Sequence, residues 1–510
     1  MVWRRVGGAA AVVASVVLVA SCTSSPAPRG ATTTTSAAGP AGGSGAVVTP
    51  ALRWSPCTGS AGPSGYDCAT LQVPRDPQHP GLGGTIGLAL DRHRATGASD
   101  GALLVDPGGP GASGVDFLPD AVAIIPKDVL SHFDVIGFDP PGVARSSPIT
   151  CLGTAELKAY FAYDPAPTTA AGMAGLDRIN QQFAQGCETR SGAELPYVST
   201  VDAAIDMDYI RVAVGQSRIN YLGFSYGTFL GATYAGLFPS HIRAMVLDGA
   251  LDPAVAPLES AREQAVSFEA DLADALKACV AAPACPWKPA GDPLLAYESL
   301  MSQVRAHPLP ARGHARRAGP SALLYATAYT LYSTSGWPDL YQMLADASRG
   351  DGTRALELSD TYDGLQPDGT FSNELEAFTA VTCLDAPAPS RAEVQADVAS
   401  FAAAAPVFGV PVLYSELGCD GWPVPATGKV GPIRAAGSPP IVVVGTTGDP
   451  ATPYADAQAL AAELQNGVLL TRVGDGHTAY PYSSCIRSYV DTYLLQLRPP
   501  PSGSRCATGS

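Results

Sequence analysis

The chain has 510 residues, 46% of them apolar and 15% charged, and its 31 Lys+Arg against 46 Asp+Glu leave a net charge of −15. That apolar content supports a substantial core and excludes global disorder, and the acidic balance excludes the clustered basic surface that nucleic-acid binding needs. The length exceeds one ordinary domain, so the chain holds either two domains or one domain with large insertions.

The N-terminus reads MVWRRVGGAAAVVASVVLVASC. Arg4 and Arg5 precede an apolar run over residues 7–20, which is too short to span the ~30 Å hydrocarbon core as a helix. Residues 1–21 are therefore expected to be a signal peptide. Val19-Ala20-Ser21-Cys22 resembles a bacterial lipobox, which makes Cys22 the expected lipid attachment point; an ordinary cleaved signal with a Cys nearby is the simpler alternative. Residues 22–48 are rich in Ser, Thr, Gly, Pro and Ala and cannot bury enough surface to order themselves. They are expected to be a flexible tether. The expected location is extracytoplasmic, on the membrane through a lipid anchor, with secretion as the alternative.

Setting Cys22 apart leaves ten of the 11 cysteines: Cys57, Cys68, Cys151, Cys187, Cys279, Cys285, Cys383, Cys419, Cys485 and Cys506. An even number in an exported chain implies disulfides. Connectivity does not follow from sequence alone, but the short spacings of Cys57/Cys68 and Cys279/Cys285 favour sequential pairs. None forms a CxxC pair and no His lies at zinc-like spacing beside them, so no metal site is expected. No cofactor motif is present either.

From about residue 51 the chain becomes globular. Strand-like runs cover residues 69–73, 85–91, 102–105 (ending in DPGGPGASG) and 133–138 (ending in DPPG). Residues 201–214 have helical periodicity, 219–224 form a strand, 226–237 a helix of small residues, and 244–247 a strand again. Later come a strand at 441–445, a helix at 453–464 and a strand at 468–473. Strands alternating with helices call for a mostly parallel sheet covered on both faces. Between residues 253 and 430 the alternation gives way to helical periods, which reads as a helical insertion. The expected organisation is thus core over 49–252 and 431–510, interrupted by an insertion over 253–430.

Gly223-Phe224-Ser225-Tyr226-Gly227 is G-x-S-x-G at a strand-to-helix junction, the context in which a Ser is presented on a strained turn as a nucleophile. Such a Ser needs a base and a group that orients the base, in the chain order Ser, acid, His. His477, in the Gly-rich loop after the last strand, is the expected base; His241, His307 and His314 follow Ser225 in less suitable places. Asp449, directly after the strand at 441–444, is the expected acid, with Asp248 and Asp475 as competitors. Thr452-Pro453 reads as N-cap and first helical turn beside that acid. An oxyanion hole needs two backbone N–H groups. Tyr226 would supply one, and Gly109 is the best donor in Pro107-Gly108-Gly109-Pro110-Gly111 because Pro110 has none.

The stretches DPGGPGASG at 106–114, FDPPGVARSSP at 138–148, GFSYGTFLGATYAGLFP at 223–239, VLDGALDP at 246–253, GDPATP at 448–453 and GDGHT at 474–478 together resemble the secreted tripeptidyl aminopeptidases. These are relatives of the prolyl iminopeptidases among the α/β-hydrolase serine peptidases. Prolyl iminopeptidases usually carry a His before GGPG; Asp106-Pro107 stands here instead, closer to the tripeptidyl branch. The resemblance implies an α/β-hydrolase fold with a helical lid, and it carries nucleophile, acid and base over to Ser225, Asp449 and His477.

Removing peptides from a free N-terminus requires a carboxylate at a fixed distance from the nucleophile to hold the amine. Glu374, Glu376, Asp385 and Asp420 are the candidates, and a Cys383–Cys419 bond would bring the last two together. The expected function is a serine exopeptidase acting on peptides, probing free N-termini and releasing tripeptides, and monomeric by default. An esterase or lipase with the same triad and a non-catalytic surface lipoprotein are the alternatives.

Overall fold

Unbroken apolar runs become the centre of a ten-stranded sheet. The strands are β1 (Ser55–Pro56), β2 (Asp67–Pro74), β3 (Thr85–His93), β4 (Ala102–Asp106), β5 (Asp134–Phe138), β6 (Ile219–Phe224), β7 (Ile242–Asp248), β8 (Ile441–Gly448), β9 (Gly467–Asp475) and β10 (Arg505–Cys506). They lie in the order β1-β2-β3-β5-β4-β6-β7-β8-β9-β10. The computed structural model describes residues 52–59, 62 and 65–507; the expected signal peptide and the whole expected tether, Cys22 included, lie outside the described residues.

Every residue of β4 and β6 is buried, as strands covered by helices on both faces must be. Side chains alternate between two apolar layers: Leu104, Tyr221, Leu247 and Val443 enter one, and Val105, Leu222, Phe224 and Val444 the other. β4 through β9 pair in parallel around β6, whereas β2 and β3 add an antiparallel edge. The carboxyl ends of β4, β6, β7, β8 and β9 therefore open on one side, where an α/β sheet holds its ligands.

Helices fill the span between β7 and β8 and gather around a core of their own, with Phe268, Tyr297, Leu331 and Phe408 at its centre. Helices Thr154–Phe161 and Ala170–Ser191, inserted between β5 and β6, join this lid. Leu176 enters the lid core, and Asp164 and Asp177 pair with lid residues Arg305 and Arg391. The lid thus draws on two chain segments, and residues 253–430 are only the larger.

Within that larger segment, helix Glu374–Asp385 packs against the hydrolase core through Ala380, Val381 and Leu384. Its leading residue Asn373 accepts a hydrogen bond from Ala144 N–H (2.9 Å) and donates to the carbonyls of Gly142 (2.8 Å) and Ile149 (3.0 Å). The ten cysteines form five disulfides, each with its neighbour in sequence: Cys57–Cys68, Cys151–Cys187, Cys279–Cys285, Cys383–Cys419 and Cys485–Cys506.

Asn373→Ala leaves three backbone groups of the β5–β6 connection without their partner. It is expected to lower stability by about 1–3 kcal/mol, read as a lower midpoint in thermal unfolding; an unchanged midpoint would show that the helix is held by its apolar face alone.

Candidate active site

The turn after β6 is built by close approach. Ser225 has φ +55°, and helix Tyr226–Leu237 starts at the next residue. A left-handed conformation at a non-glycine residue costs of order 1–3 kcal/mol and persists only where its surroundings impose it. They do so here: a Cβ at Gly223 would lie 2.5 Å from the Gly227 carbonyl oxygen, and one at Gly227 would lie 2.7 Å from Asp106 Oδ1. Ser225 N–H donates to the Asp248 carbonyl (2.9 Å), and Thr228 N–H donates back to the Ser225 carbonyl (2.8 Å). The first four helical N–H groups lack partners in any helix, so the elbow aims an unused donor, Tyr226 N–H, beside the hydroxyl.

His477 follows β9, and Asp449 follows β8. The imidazole Nδ1 lies 2.9 Å and 3.1 Å from the two Asp449 carboxylate oxygens. Asp449 also accepts from the N–H groups of Ala451 (3.0 Å), Thr452 (2.9 Å) and Thr478 (3.1 Å). Ser225, Asp449 and His477 are each only 3% exposed. His477 Nε2 is buried and has no partner among the described residues. His477 lies beyond the end of β7, where a Cβ on Gly249 would meet the imidazole Cε1 at 3.2 Å.

The two competing acids have other roles. Asp248 accepts from Ala479 N–H (3.0 Å) and Tyr480 N–H (2.8 Å), anchoring the chain beyond His477. Asp475 makes no hydrogen bond to the imidazole among the described residues. Thr452, expected from sequence to cap the following helix, does not: the helix is Tyr454–Glu463, Pro453 occupies the cap position, and no side chain caps it. The Asp449 carboxylate captures the N–H groups of Ala451 and Thr452, which leaves the Thr452 hydroxyl 3.3 Å from His477 Nδ1.

The loop after β4 lies against the elbow. A Cβ on Gly108 would be 2.5 Å from the Phe224 carbonyl oxygen and 3.0 Å from Tyr226 N. Gly108 N–H is already used, donating to Asp106 Oδ1 (2.9 Å); Gly109 N–H and Tyr226 N–H form no hydrogen bond among the described residues. Gly109 thus remains a free donor of this loop, and Gly108 supplies the close contact.

Of the four carboxylates expected at an amine site, the structure ties down three. Glu376 accepts from Leu152 N–H (2.9 Å) and from Cys151 N–H (2.5 Å). Asp385 accepts from Thr200 N–H (2.8 Å) and from the Thr200 hydroxyl, and that hydroxyl also meets the Tyr226 phenol. Asp420 pairs with Arg391 at the surface (2.8 Å). The Cys383–Cys419 bond therefore does not unite Asp385 and Asp420 in one site: one faces the core and the other solvent. Only Glu374 keeps a buried carboxylate oxygen, Oε1, without a partner. It lines a cavity walled by Tyr362, Phe378 and Phe408, and burial pushes its acid up to about 8. Its carbonyl oxygen would lie 2.6 Å from a Cβ on Gly111, so it borders the oxyanion loop.

Tyr332 was not visible in the sequence as a site residue. Its carbonyl accepts from His477 N–H (2.8 Å) and its ring stands edge-on to the imidazole, centroids 5.2 Å apart. The lid thereby closes directly over the base. Among the described residues, no group of three or more His, Cys, Asp or Glu side chains is placed to hold a metal ion.

A family profile described as alpha/beta hydrolase fold matches residues 101–290, and one described as TAP-like protein matches residues 405–506. The chain is 36% identical over 479 residues to the serine protease Hip1 of Mycobacterium tuberculosis, covering 89% of this chain and 91% of that protein. It is 38% identical over 486 residues to carboxylesterase B of the same species, covering 90% and 91%. With the tripeptidyl aminopeptidase of Streptomyces lividans it shares 31% identity over 480 residues, covering 89% and 86%. The chain is a serine hydrolase and belongs to the α/β-hydrolase serine peptidase family.

Proposed function

We propose that this enzyme releases short peptides, in threes, from free N-termini through an acyl-enzyme on Ser225. The observation that carries the reading is the buried, unpartnered Oε1 of Glu374 on a cavity wall, with the Glu374 backbone carbonyl against the loop after β4. A buried carboxylate without a partner is costly, and a protonated amine is the partner a peptide brings. The relatives named serine protease and tripeptidyl aminopeptidase support the same reading.

In this mechanism His477 Nε2 takes the proton from Ser225 Oγ as the hydroxyl attacks the scissile carbonyl. Asp449 holds the ring through Nδ1–H and stabilises the imidazolium that forms. The N–H groups of Tyr226 and Gly109 receive the developing oxyanion. Collapse breaks the C–N bond, with His477 giving its proton to the leaving amine. Water, activated by His477, then frees the peptide acid.

The Thr200 hydroxyl, held by Asp385, meets the Tyr226 phenol and so fixes the residue that carries one oxyanion donor. Thr200→Val is expected to lower kcat about tenfold while KM stays within about twofold, because misplacing a preorganised donor acts on the transition state. Thr200→Ser should restore kcat; a change confined to KM would contradict this role.

Glu374 takes its proton up to about 8, so in the free enzyme it is neutral below that pH and must lose the proton when an ammonium binds. The α-amine itself loses its charge above roughly 7.7–8.0. With a free-amine tripeptide anilide kcat/KM should rise from pH 6 to 8 and fall beyond, at least about 100-fold above the N-acetylated peptide at pH 8. Glu374→Gln should remove the discrimination and leave only the part of the rise that the general base imposes. Equal rates for the two peptides would overturn the amine reading.

The apolar cavity and the relative named carboxylesterase B favour a second reading, ester hydrolysis at the same Ser225. A medium-chain ester hydrolysed well above the free-amine peptide would support it. For location, we propose export and lipid anchoring at Cys22, on the N-terminal sequence alone. Cys22→Ala should move the protein from the membrane to the soluble fraction; no shift would contradict the anchor.

A further inference from the structure

The cavity that Glu374 borders carries more carboxyl groups than one amine can pair with. Four carboxylates line it, Asp164, Asp363, Glu374 and Glu416, and no Lys, Arg or His does so among the described residues. Asp164 is matched by Arg305 (2.8 Å). Asp363 accepts from the Ser359 hydroxyl (3.2 Å) and feels Arg316. Glu416 has nothing: it is 5% exposed, Oε1 is buried without a partner, and its carboxylate makes no hydrogen bond among the described residues.

Glu374 and Glu416 are not two halves of one amine clamp. Glu374 opens helix Glu374–Asp385, while Glu416 opens the turn Glu416–Cys419, which the Cys383–Cys419 disulfide pins to the other end of that helix. Nine residues of helix separate Glu374 from Cys383, roughly 13 Å along the axis. One ammonium pairing with Glu374 therefore leaves Glu416 buried and uncompensated.

We propose that Glu416 forms a second cation subsite, which accepts a basic side chain, Lys or Arg, within the peptide segment released. The walls suit it. Tyr160, Phe161, Tyr325 and Tyr362 bring ring faces and edges to the same cavity, and aromatic faces attract ammonium and guanidinium groups. Their own hydroxyls and π-faces add no positive charge, so the ligand's cation is the one counter-charge the cavity admits. A flexible four-carbon stem would run along these apolar surfaces with its charged end at the carboxylate. The inference rests on the peptidase reading above and adds a substrate class to it: peptides with a basic residue near a free N-terminus.

The test uses tripeptide anilides with a free amine and either Lys or norleucine at each of the three positions in turn. Norleucine keeps the stem and removes the charge. At one position the wild-type enzyme is expected to prefer Lys at least about tenfold in kcat/KM, and Glu416→Gln to bring that ratio to about one. The variant's thermal midpoint checks that it folds. Agmatine, a free alkyl cation, should inhibit the wild-type enzyme competitively, a readout that needs no variant. A Lys-to-norleucine ratio near one at all three positions, or no inhibition by agmatine, overturns the subsite. If Glu416→Gln instead abolishes the discrimination between free-amine and N-acetylated peptides, Glu416 is the amine acceptor and the subsite is likewise overturned. The amine reading fails separately, through equal wild-type rates on those two peptides.

Discussion

The left-handed backbone at Ser225 is the constraint on which the rest of the site depends. It puts the hydroxyl above the sheet and starts a helix one residue later, so that Tyr226 N–H is free to bond a substrate. The conformation is unfavourable for a residue with a Cβ and survives because three glycines let backbone crowd it. Gly223 admits the carbonyl of Gly227, Gly227 admits Asp106, and Gly108 lies on the Phe224 carbonyl. The Asp248 carbonyl then holds Ser225 N–H from the neighbouring strand. A larger residue at any of those glycines would collide with backbone or with a buried carboxylate.

The lid is built into this arrangement as well as covering it. Tyr332 binds the backbone of His477 and flanks its ring. Helix Glu374–Asp385 touches the oxyanion loop at one end and, through Asp385 and Thr200, the phenol of Tyr226 at the other. Removing solvent from around Asp449 and His477 strengthens their interaction, and burial also leaves Glu374 Oε1 and Glu416 Oε1 without a partner among the described residues. One helix thus touches the loop after β4, reaches the Tyr226 phenol through Thr200, and forms part of the cavity wall.

Much of the fold was legible in the sequence because its central strands are unbroken apolar runs with glycine turns at their carboxyl ends. G-x-S-x-G, the strand before Asp449 and the loop of His477 were readable for the same local reason. The disulfides kept to the sequential pairing that the short spacings of Cys57/Cys68 and Cys279/Cys285 favoured. What escaped was non-local. Helices Thr154–Phe161 and Ala170–Ser191 carry few large apolar residues, and their membership of the lid depends on ion pairs such as Asp164–Arg305. Thr452 looked like a helix cap because sequence cannot show that its hydroxyl is turned to the His477 imidazole instead. Tyr332 and Glu416 carry no motif. Among Glu374, Glu376, Asp385 and Asp420, only the hydrogen-bond partners in the folded chain separate one free carboxylate from three that are engaged.

The central claim is that a free N-terminal peptide acylates Ser225. The most direct measurement is intact mass of the enzyme after rapid quenching with a free-amine tripeptide active ester, with the modified residue located by peptide mapping. The account predicts one tripeptidyl group on Ser225, absent in Ser225→Ala and far slower with the N-acetylated ester. No adduct on the wild-type enzyme, or an adduct that survives in Ser225→Ala, would contradict it.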